Sequence, residues 1–385
     1  MKIGFICFHS FTNPGGVKNH ILGLSSEFEK RGIDFKIIIP RRKFGENYGE
    51  KVILLGTSFP FNVGGTQGDL CMNLNPIAIY KILKKEKFDV LHFHNFVVPS
   101  AWQVLDMQKN IDYPTCNVLT FHANLDGMPL FRSMPYFSKL FIKRLNSRID
   151  GIIGVAELNL RFFRGYKKLT KVIANGIDLN RFNPSVEGYR RFDDGKINIL
   201  FVGRIEERKG LIYLLEAYKI LQEKYDNLRL IIVGDGPLKK DCERFVQYSD
   251  LENVVFEGKK DDKVIPKYFS SCHIFCSPAI FGESFGIVLL EAMASKKPVC
   301  GFSNLGYKEL LGETKGKTYL AEPRDSTKLA KILEKLIKGK ELREELGAWG
   351  YETAKKYSWE KIADQVLDFY AKCRKEKFDK SKEGD

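Results

Sequence analysis

Short apolar runs alternate with amphipathic stretches through most of this chain. That pattern predicts a parallel sheet covered by helices. In the first half the runs, each a predicted strand, are Lys2–Phe8, Asp34–Pro40, Lys51–Leu55, Asp89–His94, Asn117–His122, Ile152–Val155 and Val172–Ala174. Beyond the double glycine Gly15-Gly16, Val17, Ile21, Leu24 and Phe28 recur at helical spacing, so one face of a helix packs on the sheet. Arg31-Gly32 supplies its stop signal.

A polar, basic stretch, "NPSVEGYRRFDDGK" from Asn183 to Lys196, interrupts the periodicity. The pattern restarts with "INILFVGRI" and recurs at Leu228–Val233, Val254–Glu257, Ile274–Ser277 and Pro298–Phe302. The expected fold class is α/β, with two doubly wound, Rossmann-like domains. They are read as residues 1–186, a linker at 187–196, and residues 197–358. A final segment, 359–385, places Ile362, Val366 and Phe369 on one helix face, expected to pack back toward the N-terminal domain, before a charged tail from Lys372 that reads as disordered.

Length and composition agree with this division. The 385 residues exceed one ordinary core, and 44% apolar with 29% charged is the make-up of a globular chain. The net charge of +14 favours anionic partners: nucleotides, phospholipid surfaces or nucleic acid. Neither a membrane-spanning run nor a signal-peptide pattern is present, which predicts a cytoplasmic location. Eight scattered cysteines without a CxxC pair read as reduced, buried thiols.

In open parallel sheets, ligands bind beyond the carboxyl ends of the strands. Beyond the first run, Gly15 and Gly16 let backbone amides approach an anion at a helix start, although a tight turn would use glycine equally well. In "GRIEERKG", Arg204 and Lys209 combine a planar fork with a mobile point charge, a pairing suited to a diphosphate but also common on solvated surfaces. "VGDGP", Gly234–Pro237, lacks the third glycine of the dinucleotide fingerprint and argues against a nicotinamide site.

The sharpest signal is "FGESFGIVLLEAMASKKPV", with Glu283 and Glu291 eight residues apart, Ser284 as the expected N-cap and Gly286 at the helix start. On one helix the two carboxylates would lie on the same side about 12 Å apart. That is too far for a glycosidase pair and suits two hydroxyl-bearing ends of one extended ligand, with amides meeting phosphate between them. His122 ends "NVLTFH" and is the remaining candidate; a lone histidine is more often structural.

"NPGGVKNHI", "LTFHAN", "VIANGID", "FVGRIEERKG", "LIIVGDGP" and "ESFGIVLLEAMASKKPV", in this order, resemble the retaining nucleotide-sugar glycosyltransferases of family 4 over nearly the whole chain. Within that family the likeness is greatest to phosphatidylinositol mannosyltransferases, which share the proline before the double glycine and a strand end like Leu91–His94. The resemblance implies the GT-B fold, two Rossmann-like domains facing a central cleft.

It also implies roles for particular residues. Arg204 and Lys209 neutralise the donor diphosphate, Glu283 holds the sugar hydroxyls, Glu291 binds the ribose, and His122 lies beside the reacting centre. Gly15, Gly16, Gly203, Gly234, Gly236, Ser284, Phe285, Gly286, Ile287 and Val288 complete the donor site, and Lys260, Asp261 and Asp262 fall where the base is read. The donor is GDP-mannose or a UDP-hexose. Retention by same-face displacement needs no protein nucleophile, no metal ligand is assigned, and magnesium enters only with the nucleotide.

Lys18, Asn19 and His20 are available toward an acceptor, as is His9. Basic amphipathic stretches at Asn75–Phe88 and Phe137–Arg148 point toward an anionic phospholipid surface at the inner face of the cell membrane, with a phosphoinositide as expected acceptor. His9 and Thr12 stand where the inositol-lipid enzymes carry acidic or aromatic residues, which leaves the acceptor open. A soluble sugar or polysaccharide acceptor, a non-catalytic nucleotide-sugar sensor and a sugar-nucleotide epimerase are the alternatives. Nucleic acid is disfavoured, because aromatics do not interleave with the basic residues.

Overall fold

The computed structural model describes residues 1–12, 15–63, 66–72, 75–94, 99–122, 135–312 and 314–379. Asn13 and Pro14 of the opening loop, Ala123 and Asn124 of "LTFHAN", and the tail from residue 380 lie outside the described residues. The chain forms two units, Met1–Gly176 with Trp359–Asp385, and Ile177–Ser358.

The first unit is built in the order β1 (Lys2–Cys7), α1 (Gly16–Lys30), β2 (Asp34–Arg41), β3 (Val52–Val63), β4 (Thr66–Met72), α2 (Pro76–Glu86), β5 (Val90–His94), α3 (Pro99–Gln108), β6 (Cys116–Phe121), α4 (Pro135–Arg148), β7 (Gly151–Gly154), α5 (Glu157–Leu160) and β8 (Leu169–Val172). Its eight strands lie in the order β4-β3-β2-β1-β5-β6-β7-β8. All pair in parallel except β4, which runs antiparallel to β3. The β3–β4 hairpin was not expected, since β4, "TQGDLCM", lacks the apolar run that marks a buried strand. The expected strand Val172–Ala174 begins and ends earlier, at Leu169–Val172. Ile3, Phe5 and Cys7 point into one core layer, with Ile21, Leu24 and Phe28 of α1, while Ile6 and Phe8 point into the layer that holds Ile79 and Leu83 of α2. The apolar face of α2 is therefore part of the core.

The second unit runs β9 (Ile197–Val202), α6 (Leu211–Gln222), β10 (Leu228–Val233), α7 (Lys239–Tyr248), β11 (Val254–Gly258), α8 (Ile265–Ser271), β12 (Ile274–Ser277), α9 (Ile287–Ala294), β13 (Val299–Phe302), α10 (Leu305–Leu311), β14 (Leu320–Ala321), α11 (Ser326–Lys338) and α12 (Lys340–Ala354). Its parallel sheet has the order β11-β10-β9-β12-β13-β14. The stretch 187–196, expected as a linker, lies inside this unit. Phe192 is buried, its carbonyl accepts from Asn198 Nδ2 at 2.7 Å, and Asp194 pairs with Arg229 at 2.5 Å. A buried ring and ion pairs, including Arg191 with Glu257 at 2.7 Å, hold a segment whose composition reads as polar.

The last helix, α13 (Trp359–Asp379), belongs to the first unit and buries Ile362, Val366, Phe369, Tyr370 and Cys373. Its indole sets the docking. A Cβ on Gly23 of α1 would fall 2.1 Å from the Trp359 ring and one on Gly176 2.3 Å from it, so the ring lies in a slot that only glycines leave open. The expected disorder from Lys372 is corrected through residue 379: Arg374 pairs with Asp89 at 2.9 Å and Lys377 with Asp150 at 2.8 Å. All eight cysteines are buried free thiols. No helix among the described residues is long and apolar enough to cross a membrane.

Candidate functional site

In each sheet the strand order reverses beside the first strand, between β1 and β5 and between β9 and β12. Crevices at such switch points, beyond the strands' carboxyl ends, are where α/β sheets bind ligands.

In the second unit the loops following β9 and β12 meet there through a chain of charges. Arg204 Nε lies 3.2 Å from Glu206 Oε2, Arg208 Nε 2.5 Å from Glu206 Oε1, Arg208 Nη1 3.0 Å from Glu283 Oε1, and Lys209 Nζ 2.6 Å from the same oxygen. Three cations alternate with two carboxylates. Burial alone would raise the Glu283 carboxyl, but Lys209 and Arg208 hold it below its ordinary value, so it stays ionised. Lys209 and Glu283, expected in one site, are thus in direct contact. Arg204 joins that chain through Glu206, and its side chain is more than a third exposed. Sequence reading missed Arg208 and Glu206. The 3₁₀ turn Glu207–Lys209 sets Arg208 beside Lys209, and the adjacent basic pair was the signal available.

The helical relation between Glu283 and Glu291 is corrected. Helix α9 starts only at Ile287, with Gly286 rather than Ser284 as its N-cap, so Glu283 lies in the preceding loop and the helical 12 Å estimate does not apply. Gly286 takes φ +94, and a Cβ there would meet the Tyr307 ring at 2.8 Å. Phe285 is buried against Tyr357, while Ile287 and Val288 are half-buried in the first turn. Burial pushes Glu291 up to about 7, moderated by the Arg181 charge and reinforced by Asp262. Arg181 also donates to the Asp262 carbonyl, which brings the segment Lys260–Asp262 into the electrostatic neighbourhood of Glu291. Within that segment Lys260 pairs with Glu257 at 3.1 Å and Asp261 caps the turn at Lys263.

Gly203, Gly234 and Gly236 have a structural reason to be glycine at two points. A Cβ on Gly234 would lie 1.8 Å from the Gly203 carbonyl oxygen, and one on Gly236 2.2 Å from that of Ile205. Gly15 and Gly16 differ. Gly15 is extended at φ −175, and a Cβ on either would meet nothing within 4 Å among the described residues. Neither backbone strain nor packing there demands glycine.

In the first unit His122 follows β6 and is half-buried. Its Nε2 lies 3.1 Å from Nδ1 of His94, the last residue of β5, and the His20 ring packs edge-on at 4.7 Å. Burial holds His94 and His122 well below the ordinary imidazole range and takes His20 down to about 4, so all three are neutral. His20, expected toward an acceptor, is corrected: it is 1% exposed, and its Nδ1 bonds Asn175 Oδ1 at 2.9 Å. Helical spacing puts it on the inner face of α1 with Ile21 and Leu24. Lys18 is half-buried and donates to the Phe11 carbonyl at 2.7 Å; Asn19 and His9 are half-buried.

Two family models together span most of the chain. The model of Glycosyltransferase Family 4 matches residues 14–181, and that of Glycosyl transferases group 1 matches residues 188–353. The chain is 31% identical to the phosphatidyl-myo-inositol mannosyltransferase of Mycobacterium leprae over 386 aligned positions, covering 96% of each chain. It is 29% identical to a glycosyltransferase of Methanocaldococcus jannaschii, covering 92% of this chain and 94% of that one. Among solved structures, sucrose-phosphate synthase from Thermosynechococcus elongatus superposes with a TM-score of 0.75 at 19% identity, covering 96% of this chain and 98% of that one. Anabaena HepE with UDP-glucose does so at 0.71 and 19%, covering 97% and 100%. These two carry the fold, which is GT-B.

Proposed function

The chain belongs to the family 4 glycosyltransferases, and we propose that it moves a hexose, mannose, from a nucleoside-diphosphate sugar to a phosphoinositide lipid with retention of anomeric configuration. The observation that carries the donor half is the ion-pair chain that runs through Glu283. Departure of a nucleoside diphosphate leaves negative charge on phosphate. Arg204, Arg208 and Lys209 are already held at fixed positions by the carboxylates, so stabilising that charge costs little reorganisation. The start of α9 adds backbone N–H groups, and the close approach at Gly286 keeps side chains out of their way.

Glu283, held ionised, accepts hydrogen bonds from the sugar hydroxyls in this proposal, and Glu291 accepts from the ribose. Lys260, Asp261 and Asp262 lie toward the base. The open space around Gly15 and Gly16 supports close approach of ligand to backbone. His122, neutral and tied to His94, acts at the sugar side, while His9, Lys18 and Asn19 remain for the acceptor. No protein nucleophile is assigned: the leaving phosphate takes the acceptor proton on the same face of the sugar. No step is routed through a protein-bound metal, and magnesium accompanies the nucleotide at most.

The lipid half rests on similarity to phosphatidyl-myo-inositol mannosyltransferases over nearly their whole length, and the phosphoinositide and mannose are carried from them. The membrane side of the proposal is peripheral and electrostatic, since the apolar face of α2 is in the core.

The purified protein is incubated with a panel of GDP- and UDP-sugars and an anionic phospholipid extract, and sugar transfer is followed by mass spectrometry beside a Glu283→Ala control. A mannolipid formed from GDP-mannose and lost in the control is the expected result. Transfer only to soluble sugars would overturn the lipid assignment. Nucleotide-sugar binding without any transfer would favour a sensor, and conversion of the donor alone an epimerase.

A further inference from the structure

The first unit gathers four of the chain's six histidines at the switch point of its sheet, and they are not equivalent. His92 is satisfied at both nitrogens, Nε2 by Thr120 Oγ1 at 2.6 Å and Nδ1 by the Tyr370 hydroxyl at 2.6 Å. His20 and His94 are 1% and 0% exposed, yet the Nε2 atom of each has no hydrogen-bond partner. A buried polar nitrogen without a partner is costly, and native proteins usually satisfy it with protein, water or an ion.

One ring nitrogen from each of His20, His94 and His122 lies within 4.8 Å of the other two. A zinc ion bound at about 2.0–2.1 Å in a tetrahedron needs such nitrogens about 3.3–3.5 Å apart. Nδ1 of His94 and Nε2 of His122 already stand 3.1 Å apart, so an ion held by this pair takes the place of the hydrogen between them, and Nε2 of His94 is not the donor atom in that arrangement. The Asn175 amide oxygen takes the Nδ1–H of His20 and thereby leaves the lone pair on Nε2. A carbonyl oxygen on the far nitrogen is the usual orienting partner of a metal-bound imidazole.

We propose that His20, His94 and His122 form a three-imidazole site for a transition-metal dication of the zinc class. The donor set contains no carboxylate, which excludes the hard calcium and magnesium ions as its natural occupants. Three protein nitrogens leave a fourth coordination position for water or a ligand. His122 is the only one of the three that is partly exposed, which gives the ion its entry. A bound ion ties α1 to the ends of β5 and β6. The site is argued from these nitrogens and not from the identity of the donor or acceptor, and it shares His122 with the sugar side assigned above.

The test is titration of the chelator-stripped, full-length protein with cobalt(II), read by its visible ligand-field absorption and by displacement with zinc. One equivalent with the intensity of a four-coordinate site is expected, lost in His20→Asn and in His94→Asn. Asn175→Ala retains all three ligands and is expected to weaken zinc about 10- to 100-fold. Failure of the wild-type protein to bind either ion at micromolar concentration, or an undiminished signal in folded His20→Asn, would overturn the site. Should the histidine variants fail to fold, X-ray absorption at the zinc edge of the wild-type protein decides. A shell with three nitrogens at about 2.0–2.1 Å supports the site, and a shell with sulfur, or with oxygen alone, overturns it.

Discussion

Glu283 and Glu291 are the same residue type in one short segment, and their surroundings drive them in opposite directions. Contact with Lys209 and Arg208 keeps the first ionised, whereas burial with only indirect compensation takes the second up to about 7 from 4.5. Between those two pH values the native state holds a proton on Glu291 that the unfolded chain has released, so this residue makes stability fall as pH rises through the window. Glu291→Gln is expected to be nearly neutral at pH 4.5 and stabilising at pH 8 by at most about 3 kcal/mol, read from denaturant midpoints at the two pH values. Arg208 carries the other prediction at this scale. Arg208→Ala removes the link between Glu206 and Glu283 while leaving Lys209 in place, and is expected to lower transfer on the order of ten- to a hundredfold in kcat/KM without unfolding the protein. The residue types at the site were legible in the sequence, and the spacing from Arg204 to Lys209 pointed to it. The second partner of Glu283, Arg208, was not legible, because a 3₁₀ turn rather than a helix decides which further cation faces the carboxylate.

At the scale of elements, apolar runs predicted the buried parallel strands closely, because a strand covered on both faces must be apolar throughout. Two features escaped that logic. The hairpin partner β4 contains Gln67, Gly68 and Asp69 and pairs at the sheet edge, where no continuous apolar run is required. His20 reads as a polar residue in a functional loop, yet helix geometry carries it inward one turn before Leu24. The docking of α13 belongs here as well. Trp359 fills a slot bounded by Gly23 and Gly176, so Trp359→Ala is expected to cost the first unit about 3–5 kcal/mol, measured as a lowered unfolding midpoint. Gly23→Ala tests the same slot from the opposite wall and should also destabilise, since its new methyl meets the indole.

At the scale of the molecule, the net charge of +14 and the burial of the α2 apolar face bear on the proposed membrane contact. Lysines 81, 84 and 85 stay on the outer side of α2 while Ile79 and Leu83 are inside. Binding should therefore be ionic. Co-sedimentation with vesicles rich in anionic lipid is expected at low salt and is expected to disappear as ionic strength approaches about 0.5 M, where the Debye length is only a few ångströms. Retention at high salt would point instead to an inserted apolar segment.

The return of α13 to the first unit has a consequence for the order in which the protein is made. A ribosome delivers β1 to β8 first, then about 180 residues of the second unit, and only afterwards Trp359 and the helix behind it. At about 5–20 residues per second the wait is on the order of ten to forty seconds. During that time the second unit can be completed from contiguous chain, while the Gly23 slot and the face of His92 and Gly151 lack their cover. The half of the protein that starts first is therefore the half that finishes last, and the nascent chain is most exposed to aggregation and to chaperones at the layer that α13 will close.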